Sequence, residues 1–477
     1  MGFFNDDAFY LIGARSLLQG GFRELNAPGA PPLLNYLPGY PALLALWGGV
    51  FGPSFLAAQL LSAALTLAGV SLLWTCFAAE LPPAAALAAA AVVGCNTLTV
   101  SLSGTVLSDL PYFAMTPLFF LAARAAWSRS GAAAWAGLGA LAGAAFLIRP
   151  TGAALGLALV LCLAREKRWR AAAWAAAGAA LVAGPWLLRN LLAGGAALSH
   201  AAELAAPWQG PAALGAFGAR LARNAAYYGP ELFWRTLFRW PAEGAAARWL
   251  ITALGLTALA AGLRAWGLQG WRKVLSVYLL AYAALHLGLH LQSGRYVFTA
   301  LPMAAPLLFL GVHALGQRWG LGSKAAAAAG FLSLALSLAP VAHVVRTSLR
   351  GSTPVNTPPA RTLAWIRDRT AASDVFAAEL DGRLYLLTGR RTVRLRKLTE
   401  PRAFAAWLRR TGVGYVLVAP ASEVMTTLSK TTAHDPMPLD RLEALLADRG
   451  LYPRVFADAA EGTEIRRVQG PARPARP

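Results

Sequence analysis

Apolar residues in this chain come in long blocks separated by short polar turns, the pattern of membrane-crossing helices rather than of strands or one-faced soluble helices. A span needs about 20 mostly apolar residues, and Ala-rich stretches qualify where Leu, Val, Phe or Trp support them. Ten segments fit: 54–78, 84–102, 110–127, 132–148, 151–164, 171–192, 248–266, 273–291, 296–316 and 324–346. The fifth is short and reads as a tilted or partly re-entrant helix. Before the first segment, Gly29, Pro31, Pro32, Pro38 and Pro41 break the chain. YPALLALWGGVFG at 40–52 then reads as an interfacial helix.

The pattern changes near residue 350. TPVNTPP marks a linker over 348–360, and 361–468 is charged and mixed, as a soluble domain is. LAWIRDR reads as an amphipathic helix, DVFAAEL and RLYLLTG as short strands or strand–helix boundaries, and FAAWLRRTG as a helix. VGYVLVAP reads as a buried strand, LDRLEALLADRG as a helix ending at Gly450, and TEIRRV as a last strand. This alternation predicts a small α/β domain, followed by a disordered tail at 469–477. The N-terminal part, 1–53, reads as an external loop with juxtamembrane helices, and 54–347 as the transmembrane domain with an external loop at 193–247.

Composition agrees with a polytopic α-helical membrane protein: 57% of residues are hydrophobic, 14% are charged, and mean hydropathy is +0.49. The net charge of +21 comes with no basic block or base-stacking motif, so it records topology rather than nucleic-acid binding. Arg124 with Arg129, REKRWR at 165–170, Arg264 with Arg272 and Lys273, and Arg318 with Lys324 fall on alternate connections. These mark the cytoplasmic side. The opposite side holds the N-terminal segment, SGTVLSDL, the RPTG turn, the loop 193–247, QSGR and everything after 350. Localisation is therefore expected in a bacterial-type inner membrane, multi-pass, with the C-terminal domain extracytoplasmic. Cys76, Cys95 and Cys162 lie in apolar runs and read as small buried hydrophobes, and no disulfide framework is encoded.

Candidate chemistry gathers at the external ends of these segments. Asp6 with Asp7, Asp109, Arg149, Arg189 with Asn190, and Arg295 with Tyr296 all sit there. A charge at the membrane boundary costs energy unless it is paired, snorkels or lines a wet cavity. Any one arginine can be an anchor at headgroup level, but a short acid such as Asp109 cannot snorkel far. Acids and arginines around one face fit a pocket for an anionic substrate: arginine offers a planar fork of donors to phosphate, and a carboxylate can take a proton from an attacking hydroxyl. His286 and His290 lie one helical turn apart, which is metal-ligand spacing, but no acid adjoins them and a buried polar pair is the simpler reading. Trp74, Trp186, Trp249 and Trp266 read as an aromatic belt.

The order of NDDAFYLIGARSLLQGG, LPGYPALLALWGGVFGPS, VLSDLPYFAM, FLIRPTG, GPWLLRN and SGRYVFTALPMAAP resembles the integral-membrane type-C glycosyltransferases, near the aminoarabinose transferase and protein O-mannosyltransferase branch. AWIRDRT, LYLLTGRRT and VGYVLV in the C-terminal domain fit bacterial members. The resemblance implies transfer of a hexosyl or pentosyl group from a polyprenyl-phosphate sugar to a lipid, glycan or protein acceptor, with inversion. It implies Asp6 as the catalytic base, with Asp7 orienting the acceptor, binding a metal or supporting the loop. Arg295, with Arg149 second, is implied as the contact to the donor phosphate. Asp109, Tyr10 and Tyr296 are implied as substrate or metal support. A divalent metal ion is the one cofactor the family pattern brings with it. That pattern also puts a span before the paired acids, where only MGFFN stands here, so eleven spans are expected of the family where this sequence offers ten. A transporter or flippase of lipid-linked glycans would use arginines and a wet acidic cavity too. It would show internal repeats and broken midplane helices, and neither is legible.

Overall fold

The computed structural model describes residues 5–129, 131–194, 213–229, 236–237, 244–289, 292–349, 359–419 and 437–469. The chain divides into two compact units, one of residues 37–40 and 50–349, the other of 1–36, 41–49 and 350–477.

The larger unit is helical. It contains α3 (Phe55–Phe77), α4 (Pro83–Cys95), α5 (Thr97–Ser103), α6 (Asp109–Arg129), α7 (Ala132–Ile148), α8 (Ala153–Arg165) and α9 (Trp169–Leu192). After these come α10 (Ala213–Ala226), α11 (Ala245–Trp266), α12 (Trp271–Gly288), α13 (Gly294–Gln317) and α14 (Gly322–Leu349). The helices α1 (Asn5–Leu18) and α2 (Gly39–Phe51) precede them, α2 having residues in both units. Among the described residues each of the ten apolar segments is thus mostly helical. By length and composition five helices can cross a membrane on their own, α3, α9, α11, α13 and most of α14, or six with the bent pair α4–α5. Burial separates their roles: 89% of the most apolar stretch of α13 is buried, against 22% in α11 and α14, so α13 is central and the others offer apolar side chains outward.

The expected continuous span at 84–102 is broken instead, with a 49° bend between α4 and α5. Asn96 makes the break. Its side-chain oxygen caps α5 by accepting from the Leu98 and Thr99 amides at 3.0 Å, while its amide nitrogen donates to Val92 O and Val93 O at 3.0 and 2.9 Å. One buried side chain closes one helix and starts the next. Cys95 beside it is exposed, unlike the buried Cys76 and Cys162, because the bend turns it off the core. The tryptophans also divide: Trp74 and Trp249 are exposed as a belt requires, but Trp186 and Trp266 are buried. Trp266 is held inside by its indole N–H donating to Arg272 O at 3.1 Å.

Polar contacts collect at the two ends of α6. Near its last turn Glu80 pairs with Arg124 at 3.3 Å and with Arg272, and Glu166 pairs with Lys273 at 2.8 Å. At its first turn stands Asp109. The rise from residue 109 to 124 is about 22 Å at 1.5 Å per residue, so the two polar groups are separated by most of a hydrocarbon core.

In the other unit a five-stranded sheet runs in the order β2-β1-β3-β5-β4. Its elements are α15 (Ala360–Arg369), β1 (Val375–Ala378), α16 (Asp381–Thr388), β2 (Arg391–Arg394), α17 (Pro401–Arg410), β3 (Tyr415–Val418), α18 (Leu439–Leu445), β4 (Arg454–Asp458) and β5 (Thr463–Arg467). Strands β2, β1 and β3 are parallel, and β5 pairs antiparallel with β3 and β4. Alternation along β1 and β3 feeds two cores. Ala377, Val416 and Val418 pack with Phe404, Trp407 and Leu442, while Phe376 and Ala378 pack with Leu363, Ile366 and Leu384.

Three expectations change here. RLYLLTG is the helix α16, burying Leu384 and Thr388 one turn apart and ending at Gly389, whose φ of 72° suits a left-handed C-cap. The helix beginning at Leu439 stops at Leu445 rather than Gly450, because the Asp448 carboxylate turns the chain by accepting from the Gly450 and Leu451 amides at 2.9 and 3.1 Å. Strands β2 and β4 are additional; both are sheet edges rich in charge, which hides their alternation.

The N-terminal segment is part of this same unit. Asn5 and Asn26 donate through Nδ2 to the two carboxylate oxygens of Asp381, at 2.8 and 3.0 Å, and the Thr392 amide donates to Asn26 O at 2.7 Å. Asp381 is buried, and burial, partly opposed by the Asn5 hydrogen bond, raises its pKa above the usual carboxylate value.

Candidate active site

Most of the residues singled out from the sequence fall into two clusters, one in each unit. In the helical unit, the first is built by three chain reversals. Pro150 disfavours helical backbone at the residue before it, so Arg149 is extended (φ −145°, ψ 140°), ends α7 and is carried past the helix axis. Gly39, at the start of α2, lets that end of α7 come close: a Cβ there would lie 2.6 Å from Leu147 O and 2.8 Å from Ile148 N. Ser293 starts α13 by accepting from the Arg295 amide at 3.3 Å, which places Arg295 in the first turn. Asp109 occupies the first turn of α6, where the helix dipole favours an acid.

These three side chains meet. Asp109 Oδ1 pairs with Arg149 Nη1, and Oδ2 accepts from Arg295 Nε and Nη2 at 2.9 and 2.7 Å. Asp109 is fully buried and Arg149 is 6% exposed. A cation at a helix N-terminus is unfavourable, and Asp109 offsets that for Arg295. Among the described residues the ion pairs of this cluster set one acid against two arginines. Tyr296 adjoins it, its ring centroid 5.9 Å from the Arg149 guanidinium carbon. His286 packs on Tyr282 and Tyr296, with centroids 4.2 and 4.5 Å away, and its Nδ1 lies 2.9 Å from Tyr282 O. That ring is therefore fixed in an aromatic stack, while His290 lies outside the described residues. Arg189 donates to Asn190 Oδ1 at 2.9 Å and lies over the Trp186 ring at 4.7 Å.

In the other unit, Asp6, Asp7 and Tyr10 lie on the first two turns of α1, and successive positions on a helix face different ways. Asp6 is half-buried and accepts from the Tyr36 hydroxyl at 3.0 Å; Asp7 is 1% exposed. Tyr36 stacks on Phe9 with centroids 5.0 Å apart and meets Tyr10 edge-on at 5.5 Å. Burial, and then the Asp6 charge, hold the Tyr36 phenol well above its ordinary pKa, so it remains a donor. Arg383 is pushed below its ordinary pKa by burial, and the nearby Asp7 charge opposes that. Tyr36, Asp381 and Arg383 are contributors that sequence reasoning missed. Tyr36 lies among turn residues, and the other two look like ordinary charges of a soluble domain.

Among the described residues no three His, Cys, Asp or Glu side chains converge, and both Asp109 oxygens face guanidinium groups.

Residues 31–188 match the family described as dolichyl-phosphate-mannose-protein mannosyltransferase. No curated protein sequence matches the chain. Among solved structures, ArnT from Cupriavidus metallidurans in the apo state has the same fold: TM-score 0.55, 13% identity, 96% of this chain and 92% of that one. The same protein bound to undecaprenyl phosphate gives TM-score 0.53 at 14% identity, over 97% and 93% of the two chains. The Archaeoglobus fulgidus oligosaccharyltransferase, tethered to an acceptor peptide containing the NVT sequon, gives 0.51 at 11% identity, over 86% of this chain and 64% of that one. Residues 31–188 are thus similar to that mannosyltransferase family, and nearly the whole chain shares its fold with the two ArnT structures, the integral-membrane type-C glycosyltransferase-like architecture that the order of motifs implies.

Proposed function

We propose that this protein transfers a sugar from a polyprenyl-phosphate donor to an acceptor hydroxyl or similar nucleophile at the extracytoplasmic face, with inversion. The carrying observation is the buried Asp109 carboxylate holding Arg149 and Arg295 from two different helices. Two guanidinium groups held by one carboxylate have fixed donor directions, which suit a phosphate that gains charge as it departs. A solved structure of the same fold has undecaprenyl phosphate bound, which supports this donor class.

In the proposed reaction the acceptor oxygen attacks the anomeric carbon as the bond from that carbon to the phosphate oxygen breaks. Asp6 takes the acceptor proton, and the polyprenyl phosphate leaves with the electron pair against Arg295 and Arg149. Tyr36, donating to Asp6, holds that carboxylate in one rotamer. Asp7 supports the turn, and Tyr10 and Tyr296 line the substrate. The fold of the N-terminal segment and the C-terminal domain into one unit supports a common side for both. The basic connections gathered at the far end of α6 support the Asp109 end of that helix being extracytoplasmic.

The test is transfer of radiolabelled sugar from polyprenyl-phosphate donors by membranes containing the full chain. Asp6→Asn should lower transfer about 10²–10⁴-fold, the usual worth of a general base. Equal transfer by parent and variant would overturn the base assignment. Donor translocation with no transfer from any donor would replace the enzyme reading with that of a flippase.

A further inference from the structure

At the other end of α7 from Arg149 the chain builds a second polar site. Trp135 lies in the first turn of α7, about 21 Å from residue 149 at 1.5 Å per residue. With Lys167, Arg168, Trp169, Arg170 and Trp174 it lines a cavity of about 680 Å³ at the α8–α9 turn. The lining contains three bases and no acid. The acid next in sequence, Glu166, is engaged with Lys273 at 2.8 Å.

The local backbone is unexpected. The Lys167 amide donates to Ala164 O and the Arg168 amide to Leu163 O, both at 2.9 Å, which is the paired C-cap that closes many helices. The residue at its left-handed position is usually glycine, yet here it is Lys167 with φ 57°. A charged side chain stands where glycine would relieve strain, which points to a use for the charge. Arg168 next to it lies over tryptophan, its guanidinium carbon 4.6 Å from the Trp135 ring centroid and 5.7 Å from that of Trp127. That arrangement fixes the guanidinium at small entropic cost. Trp169 and Trp174 are 64% and 50% exposed on the first turns of α9, a helix long and apolar enough to cross a membrane.

From this geometry we infer that the α8–α9 turn is a binding site for the phosphodiester headgroup of an anionic membrane lipid. Lys167, Arg168 and Arg170 meet the phosphate, and the exposed tryptophans lie against the glycerol and upper acyl chains. Basic residues beside aromatic ones at a span end match that chemistry, and the cavity admits a headgroup rather than a single ion.

The experiment uses the full chain purified in detergent, with equimolar dioleoylphosphatidylglycerol and dioleoylphosphatidylcholine, and counts retained lipids by native mass spectrometry. The parent should retain the anionic lipid preferentially. Lys167→Gly and Arg170→Gln, both at exposed positions, should each lower that preference about fivefold. Lys167→Gly should keep or raise the melting temperature, a combination that damage to folding cannot produce. Inorganic phosphate at the lipid concentration should leave the retained lipid in place. Equal retention of the two lipids by the parent, an unchanged preference in both variants, or displacement by inorganic phosphate would each overturn the assignment.

Discussion

Asn5 donates through Nδ2 to Oδ1 of Asp381 at 2.8 Å, a buried hydrogen bond between residues 376 positions apart. Asp381 takes Asn26 on its other oxygen, so one carboxylate positions the segment that begins one residue before Asp6.

Asp381→Ala should strand two buried donors. Hydrogen bonds to a charged group contribute about 1.5–3 kcal/mol each, so the C-terminal unit should lose about 3 kcal/mol or more, measured by thermal unfolding of the purified chain. The Asp6-dependent transfer should fall with it.

The pH dependence follows from the same group. Burial raises the folded-state pKa of Asp381 above its ordinary value of 3.8. Between the unfolded and folded pKa values the folded chain then holds more protons, so the contribution of this group to stability falls as pH rises from 3.8 through its folded pKa. A melting-temperature series over that interval should show a negative component that Asp381→Asn removes.

Asp109→Asn should destabilise the helical unit by about 3–5 kcal/mol, because it leaves two buried arginines without their counter-charge. Arg295→Lys keeps the charge but cannot give one oxygen two donors. It should weaken donor binding about tenfold while leaving the melting temperature closer to that of the parent. Isothermal binding of an unreactive polyprenyl phosphate separates the two effects.

Gly39→Ala should cost about 1–3 kcal/mol, since the added methyl meets Leu147 backbone atoms, and should lower transfer by displacing Arg149. Gly49→Ala in the same helix meets nothing within 4 Å and should be neutral or stabilising. Equal effects from the two changes would show that the contact does not position Arg149.

Asn96→Ala removes both the cap of α5 and the donors to the end of α4. A loss of about 1–2 kcal/mol is expected. A spin-label pair placed across the break should report a straighter α4–α5.

The helical segments were legible because about 20 apolar residues in a row have few other uses, and Asp109, Arg149 and Arg295 because a charge at a membrane edge is costly unless it has a task. Their gathering at one face was legible too, but which of them pair was not, since that depends on which helix ends meet. The Asn96 break was hidden because one polar side chain leaves an apolar average almost unchanged. In the C-terminal domain the central strand β3 was legible from VGYVLV, whereas edge strands β2 and β4 carry the arginines that protect an edge. Asp381 gave no signal, because nothing local distinguishes an acid that anchors a segment from one that faces water.

The clasp between Asn5 and Asp381 sets a schedule for biogenesis. Partners 376 residues apart are separated by roughly 20–75 s of translation at 5–20 residues per second. Throughout that interval the first helix must wait, its acidic turn unclasped, while every intervening segment passes into the bilayer. A ribosome stalled shortly before Asp381 would leave it without its anchor, and quality-control proteases would meet an unclasped helix rather than an unfolded tail.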